Sequence, residues 1–278
     1  MRILLATPWF SGHLDAGLFW ASALGRLGHD VVLWDHRAEP DPPRIPCQVA
    51  LVMKGDETVA ARLRPWTPNV VSYWPDWFDR EPGLLDRLLK AYDLVATPVR
   101  PTPAGCLWLP TGWDPQFHQR RPGASPFPSL AWGTYTERKH HYLVTIRPSF
   151  IMGNGWSPAV SPSPVLPPHY GPALVAILSA AAVQINIHRD NVGLNRRIFE
   201  MCACGPCISD RVPGVEEVFG KSLTQRMSFE TPAEGRAMLI YYLEHPLERE
   251  ELWASERELI KPFTYTAAAE RLLSAIHV

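Results

Sequence analysis

The chain has no excess of charge of either sign. Lys and Arg together number 27 against 28 Asp and Glu, a formal net charge of −1. Both signs are mixed through both halves, so nothing in the totals demands a polyanionic partner, although local basic patches stay open. Long apolar runs are missing too. The opening MRILLATPWFSG is apolar for only a few residues before His13 and Asp15, too short to span a bilayer and without the pattern of a signal peptide. The expectation is a cytoplasmic protein with no membrane span. No D-x-D pair occurs to hold a divalent cation at a diphosphate, so no metal cofactor is expected. No G-x-G-x-x-G follows the first strand-like run, which disfavours a nicotinamide enzyme or a nucleotide-sugar epimerase. Cysteine is scarce and odd in number, five in all. Three of them, Cys202, Cys204 and Cys207, cluster, but Gly205-Pro206 puts a helix end among them and no His-x-Cys pair lies near. Packing is the preferred reading over a metal site.

What is present is enough apolar material for one large or two modest cores, 46% of 278 residues. Strand-like runs alternate with helical stretches: RILLAT (2–7), an amphipathic segment 15–27, HDVVLWD (29–35), QVALVM (48–53), NVVSYW (69–74) and YDLVAT (92–97). Such alternation predicts a parallel sheet covered by helices. After LWLPTGWD (107–114), the basic and Pro/Gly/Ser-rich QRRPGASPFPS reads as an inter-domain linker. A second alternation begins at SLAWGT. The pattern predicts an α/β chain of two doubly wound domains, 1–122 and 123–262, with a terminal helical segment 263–278. Prolines, 29 in all, gather in loops such as 158–168.

The densest segment runs from Gln184 to Phe219. VQINIH is long enough for a buried strand, and RDNVG breaks it just before a helix carrying Arg196, Arg197 and Glu200. Free N–H groups and the positive dipole end at a helix start hold anions. Around Gly193 and Asn195, the candidates for gripping such an anion are Arg138, Lys139, Arg189 and Arg197, because guanidinium groups bind phosphate oxygens bidentately. Arg189 follows the C-terminal end of a strand, the edge where open α/β sheets bind ligands, and His188 beside it is either a ligand group or a structural histidine. For Arg138 and Lys139 the competing reading is a solvated first helical turn. For Glu200 it is a surface acid paired with Arg196 or Arg197.

This segment resembles the CgeB-like (spore-maturation) glycosyltransferases of the GT-B superfamily. The resemblance rests on INIHR (185–189), NRRIFE (195–200), CACG (202–205), SDR (209–211) and PGVEEVF (213–219), and extends to LAWGTYTERKHHYL (130–143), IMGNGW (151–156), YYLEHPLEREEL (241–252) and FTYTAAAERLL (263–273). It implies a GT-B fold, two Rossmann-like domains facing a central cleft. The first would be the acceptor side, the second would bind a nucleotide diphosphate sugar, and the last helix would cross back to the first domain. It also implies that Glu200 holds the ribose hydroxyls. The position of a second glutamate, eight residues earlier in better-studied members, is Val192 here. Gly12-His13-Leu14-Asp15-Ala16 is similar to the G-H-x-x-P of inverting small-molecule glycosyltransferases, which makes His13 a candidate general base, oriented by Asp15 or Asp76, with Asp76 the alternative base. Trp74, Trp77, Phe78 and Trp113 are candidates to stack on an acceptor ring or to fill the core. The function implied is metal-independent transfer from a UDP-linked sugar to a hydroxyl, on a hydroxymethylated DNA base, a glycan or a small molecule. The alternative is a non-catalytic nucleotide-binding or scaffold module.

Overall fold

The computed structural model describes residues 1–8, 16–75, 81–121 and 127–276. In chain order the elements are β1 (Arg2–Ala6), α1 (Ala16–Arg26), β2 (Asp30–Trp34), β3 (Val49–Met53), α2 (Glu57–Leu63), β4 (Asn69–Tyr73), α3 (Leu84–Ala91), β5 (Leu94–Thr97), β6 (Cys106–Trp108), β7 (Phe127–Trp132), α4 (Glu137–Ile146), β8 (Phe150–Met152), β9 (Val165–Leu166), α5 (Gly171–Ala180), β10 (Ala181–Asn186), α6 (Arg196–Cys204), β11 (Cys207–Asp210), α7 (Val215–Met227), β12 (Ser228–Phe229), α8 (Pro232–Glu244), α9 (Pro246–Leu259) and α10 (Tyr265–Ala275). They divide into two compact units, one made of Met1–Asp114 with Thr264–Val278, the other of Pro115–Phe263.

The first unit is a parallel sheet in the order β2-β1-β3-β4-β5-β6. β3 is buried at every residue, as a strand covered on both faces must be. One face packs Leu4, Ala6, Val52 and Val95 against Leu63, Leu84 and Leu88 of the helices. α10 is held on this unit by several contacts. Tyr265 stacks on Phe19 of α1 with ring centroids 5.4 Å apart, and its N–H donates to Trp113 O at 3.1 Å. Arg26 at the end of α1 donates to Asp114 at 2.7 Å and to Thr266 at 3.0 Å.

The second unit repeats the design in the order β12-β11-β10-β7-β8-β9, again all parallel. β7 and β10 sit side by side at its centre, so the loops after them open at one sheet edge. The cysteine cluster lies inside this unit: Cys202, Cys204 and Cys207 are buried thiols, and the Cys207 N–H donates to the buried Glu256 carboxyl at 3.1 Å. Among the described residues no group of three His, Cys, Asp or Glu side chains is placed to hold a metal ion, and no helix is long and apolar enough to cross a membrane.

Candidate functional site

The C-terminal edge of the second sheet carries two capped helix starts. Thr136 caps α4, its hydroxyl accepting from Lys139 N at 3.2 Å, and Asn195 caps α6, its Oδ1 accepting from Ile198 N at 3.2 Å. Asn195 is therefore the cap, and α6 begins at Arg196. Gly193 lies before the cap with φ +145.

Two of the four predicted phosphate cations converge here. Lys139 is 3% exposed, and its ammonium donates to Thr134 O at 3.0 Å. It borders a small cavity of about 10 Å³ at the ends of β7, β8 and β10, walled by Gly133, Ile151, Trp156, Ile185 and Ile187. Arg197, in the first turn of α6, comes to the same place. A Cβ on Gly133 would lie 2.6 Å from Lys139 Nζ and 3.3 Å from Arg197 Cζ. The close approach needs the missing side chain, and φ at Gly133 is +148. Arg197 Nε is buried without a hydrogen-bond partner among the described residues. Burial first and then the nearby Arg197 push the Lys139 ammonium down to about 7, and burial pulls the Arg197 guanidinium down to about 10. Two buried cations set at two helix starts, with no carboxylate hydrogen-bonded to either among the described residues, have the chemistry that binding an anion requires, although the Glu200 charge acts on Arg197 and the Asp210 charge on both. The solvated-turn reading of Lys139 does not hold, because the side chain is buried.

The other two cations are placed differently. Arg138 donates to Asp210 Oδ2 at 2.7 Å, so its charge is matched within the protein, and its guanidinium also lies over the Tyr142 ring, 4.9 Å from the centroid. Arg189 is exposed at the end of the β10 segment. His188 is 1% exposed, and its Nδ1 lies 2.7 Å from Asp210 Oδ1, which also accepts the His188 backbone N–H at 2.8 Å. Burial alone would raise the Asp210 carboxyl, but His188 and Arg138 outweigh it and hold the group below the usual range. Asp210 is thus a carboxylate, and the proton between the two groups sits on His188 Nδ1.

Glu200 is not the surface acid of its bland reading. It is 2% exposed, with Oε1 3.7 Å from both Arg196 Nε and His118 Nε2, while Oε2 has no hydrogen-bond partner among the described residues. An unmatched buried carboxylate oxygen on the same helix as Arg197 is available to accept hydroxyl donors. His13, Asp15, Asp76, Trp77 and Phe78 lie outside the described residues, and Trp113 is buried at 6% exposure. Sequence reasoning missed Gly133, Thr134, His118 and above all Asp210. The last closes the SDR motif at a strand end, which was the available signal.

Residues 138–274 match the family model described as glycosyl transferase-like, a span that contains Lys139, His188, Arg197, Glu200 and Asp210 but not His118, Gly133, Thr134 or Thr136. No curated protein matches the chain. Solved structures of similar fold do. An alpha-glucosyltransferase in complex with UDP-glucose and DNA containing an abasic site is 12% identical with a TM-score of 0.66, covering 100% of both chains. The phage T4 BGT in complex with its UDP-glucose substrate is 8% identical at 0.68, again covering 100% of both chains. The sucrose-phosphate synthase of Thermosynechococcus elongatus is 13% identical at 0.71, covering 99% of this chain and 98% of the other. At such identities the likeness is one of fold: the chain has the GT-B architecture of two parallel-sheet α/β domains.

Proposed function

We propose that this chain is a CgeB-like GT-B glycosyltransferase that moves a sugar from a UDP-linked donor to a hydroxyl acceptor without a metal ion. The observation that carries the proposal is the convergence of Lys139 and Arg197 on Gly133 at the starts of α4 and α6. A diphosphate leaving group gathers negative charge as the glycosidic bond breaks, and fixed cations in a poorly hydrated site lower that barrier because they need not reorganise. Lys139 and Arg197 take the diphosphate, with the N–H groups of the α6 start beside them, and Arg189 supplies an outer, solvent-facing charge. Glu200 accepts from the ribose hydroxyls, and His13 or Asp76 removes the acceptor proton. For the acceptor we favour the hydroxymethyl group of a modified DNA base, since structures of similar full-length fold include an alpha-glucosyltransferase in complex with DNA containing a HMU base and a DNA-modifying beta-glucosyltransferase.

The test is turnover. The chain with UDP-glucose, with and without chelator, is expected to release UDP slowly alone and faster with hydroxymethylated duplex DNA. No binding or turnover with any nucleotide sugar would sink the proposal, chelator-sensitive activity would sink its metal-free part, and DNA without effect would remove that acceptor. A second reading, a non-catalytic nucleotide-binding module, is favoured by Val192 at the position of the family's other glutamate. It requires UDP-glucose binding with no turnover.

A further inference from the structure

The two buried cations, Lys139 and Arg197, sit on different helices, so their spacing depends on what ties the start of α4 to the start of α6. A chain of buried hydrogen bonds does so. Asn195, the α6 cap, donates from Nδ2 to Asn186 Oδ1 at 3.3 Å. Asn186 Nδ2 donates to Ser209 Oγ at 3.1 Å and lies 3.4 Å from His188 Nε2. His188 donates from Nδ1 to Asp210 Oδ1, and the other oxygen of Asp210 receives Arg138 from the first turn of α4. Asn186, His188, Ser209 and Asp210 are all within 1% of full burial. A low-dielectric network of this kind has one arrangement that satisfies its members, which makes it stiff.

We propose that Asp210 is a positioning residue of the donor site: its carboxylate joins Arg138 of α4 to the His188–Asn186–Asn195 chain of α6 and thereby holds Lys139 and Arg197 at the spacing a diphosphate needs. The inference rests on the donor-site reading above. Asp210 touches no substrate in this scheme and acts through Arg138 and His188. Its charge has a second consequence. The groups acting on Lys139 are Arg197 from α6, Arg189 and Asp190 from the loop after β10, and Asp210 from β11, with the two carboxylates favouring the ammonium and the two guanidinium groups opposing it. Removing the Asp210 charge makes Lys139 harder to protonate.

The experiment is calorimetric titration of the full chain with UDP-glucose between pH 6 and 9. Asp210→Asn keeps the shape and removes the charge. Its UDP-glucose Kd at pH 7 is expected to rise about tenfold or more, since small displacements of binding groups are costly. The pH above which affinity declines is expected to move down. A merely structural Asp210 would lower the melting temperature and leave that pH unmoved. Binding by the wild type with unchanged affinity and pH profile in Asp210→Asn overturns the inference alone. No UDP-glucose binding by the wild type overturns the donor-site reading and the inference together. Should Asp210→Asn not fold, Arg138→Met cuts the same tie from the partly exposed side, and an unchanged Kd in that variant overturns the inference equally.

Discussion

A cation buried to serve a ligand should weaken the empty fold, and Lys139 allows the size of that effect to be worked out. Its ammonium falls from the ordinary 10.5 to about 7. Between those two values the unfolded chain binds a proton that the folded chain does not, so stability rises with pH from about 7 to 10.5 and is flat below 7. At about 1.4 kcal/mol for each pH unit, the whole gap corresponds to about 5 kcal/mol of destabilisation at pH 6. Lys139→Met removes that penalty and loses the hydrogen bond to Thr134, worth about 1 kcal/mol. The variant is expected to be about 3–4 kcal/mol more stable than the wild type at pH 6, with the advantage vanishing near pH 10. Urea unfolding followed by fluorescence at pH 6, 8 and 10 measures both chains under the same conditions. The same variant should bind UDP-glucose about 10- to 100-fold more weakly at pH 6, the value of a charge-assisted hydrogen bond. A Lys139→Met chain that is less stable than the wild type at pH 6, or that keeps the wild type's rise in stability above pH 7, refutes the reasoning.

Other expectations follow from the same geometry. Gly133→Ala places a methyl group 2.6 Å from Lys139 Nζ at a φ of +148, so it should cost about 1–3 kcal/mol of stability and abolish measurable UDP-glucose binding; a variant that binds normally would mean the anion sits elsewhere. UDP-glucose binding should take up about 0.9 proton at pH 8 and about 0.1 at pH 6, because the diphosphate recharges Lys139, and titrations in buffers of different ionisation enthalpy read this directly; equal uptake at both pH values would contradict it. Glu200→Ala should weaken UDP-glucose about tenfold yet leave its 2′-deoxyribose analogue unaffected, since the buried Oε2 is assigned to the ribose hydroxyls; equal losses for both ligands would remove that role. Binding to duplex DNA should weaken steeply between 50 and 200 mM salt, on the order of 10-fold for every two phosphates contacted; a flat response would argue against a DNA acceptor.

The alternation of apolar runs and helices was readable because parallel strands covered on both faces are apolar at nearly every position, as VALVM in β3 shows. The short strands β6, β9 and β12 left too little pattern to read, three residues or fewer each. The sequence offered Lys139 and Arg197 as phosphate candidates and, through the family resemblance, Glu200 as a ribose candidate, but their burial depends on which strands are neighbours. Lys139 lies in an ERKHH run whose composition is that of a surface. It is buried because Thr136 caps the helix and turns this position toward the end of β7. Asp210 was passed over for a related reason. Its partners, His188 and Arg138, come from separate stretches of chain and meet it only because β11 pairs with β10 and α4 starts beside that edge.

Four cations near one edge are not four equal contributions to holding a diphosphate. Arg138 has already spent its charge on Asp210, and turning it to a phosphate would leave Asp210 Oδ2 buried without its cation while only Oδ1 kept its bonds from His188, which costs energy. Arg189 is exposed, where water reduces a charge–charge attraction at about 4 Å to about 1 kcal/mol. Lys139 and Arg197 are held where the same attraction is several times larger, and neither has a carboxylate bonded to it among the described residues. The site is therefore asymmetric. On the proposed reading Arg138 gives it shape, Arg189 faces solvent, and Lys139 and Arg197 carry the field, so the spacing between α4 and α6 would matter more to diphosphate binding than the number of basic residues in the motif.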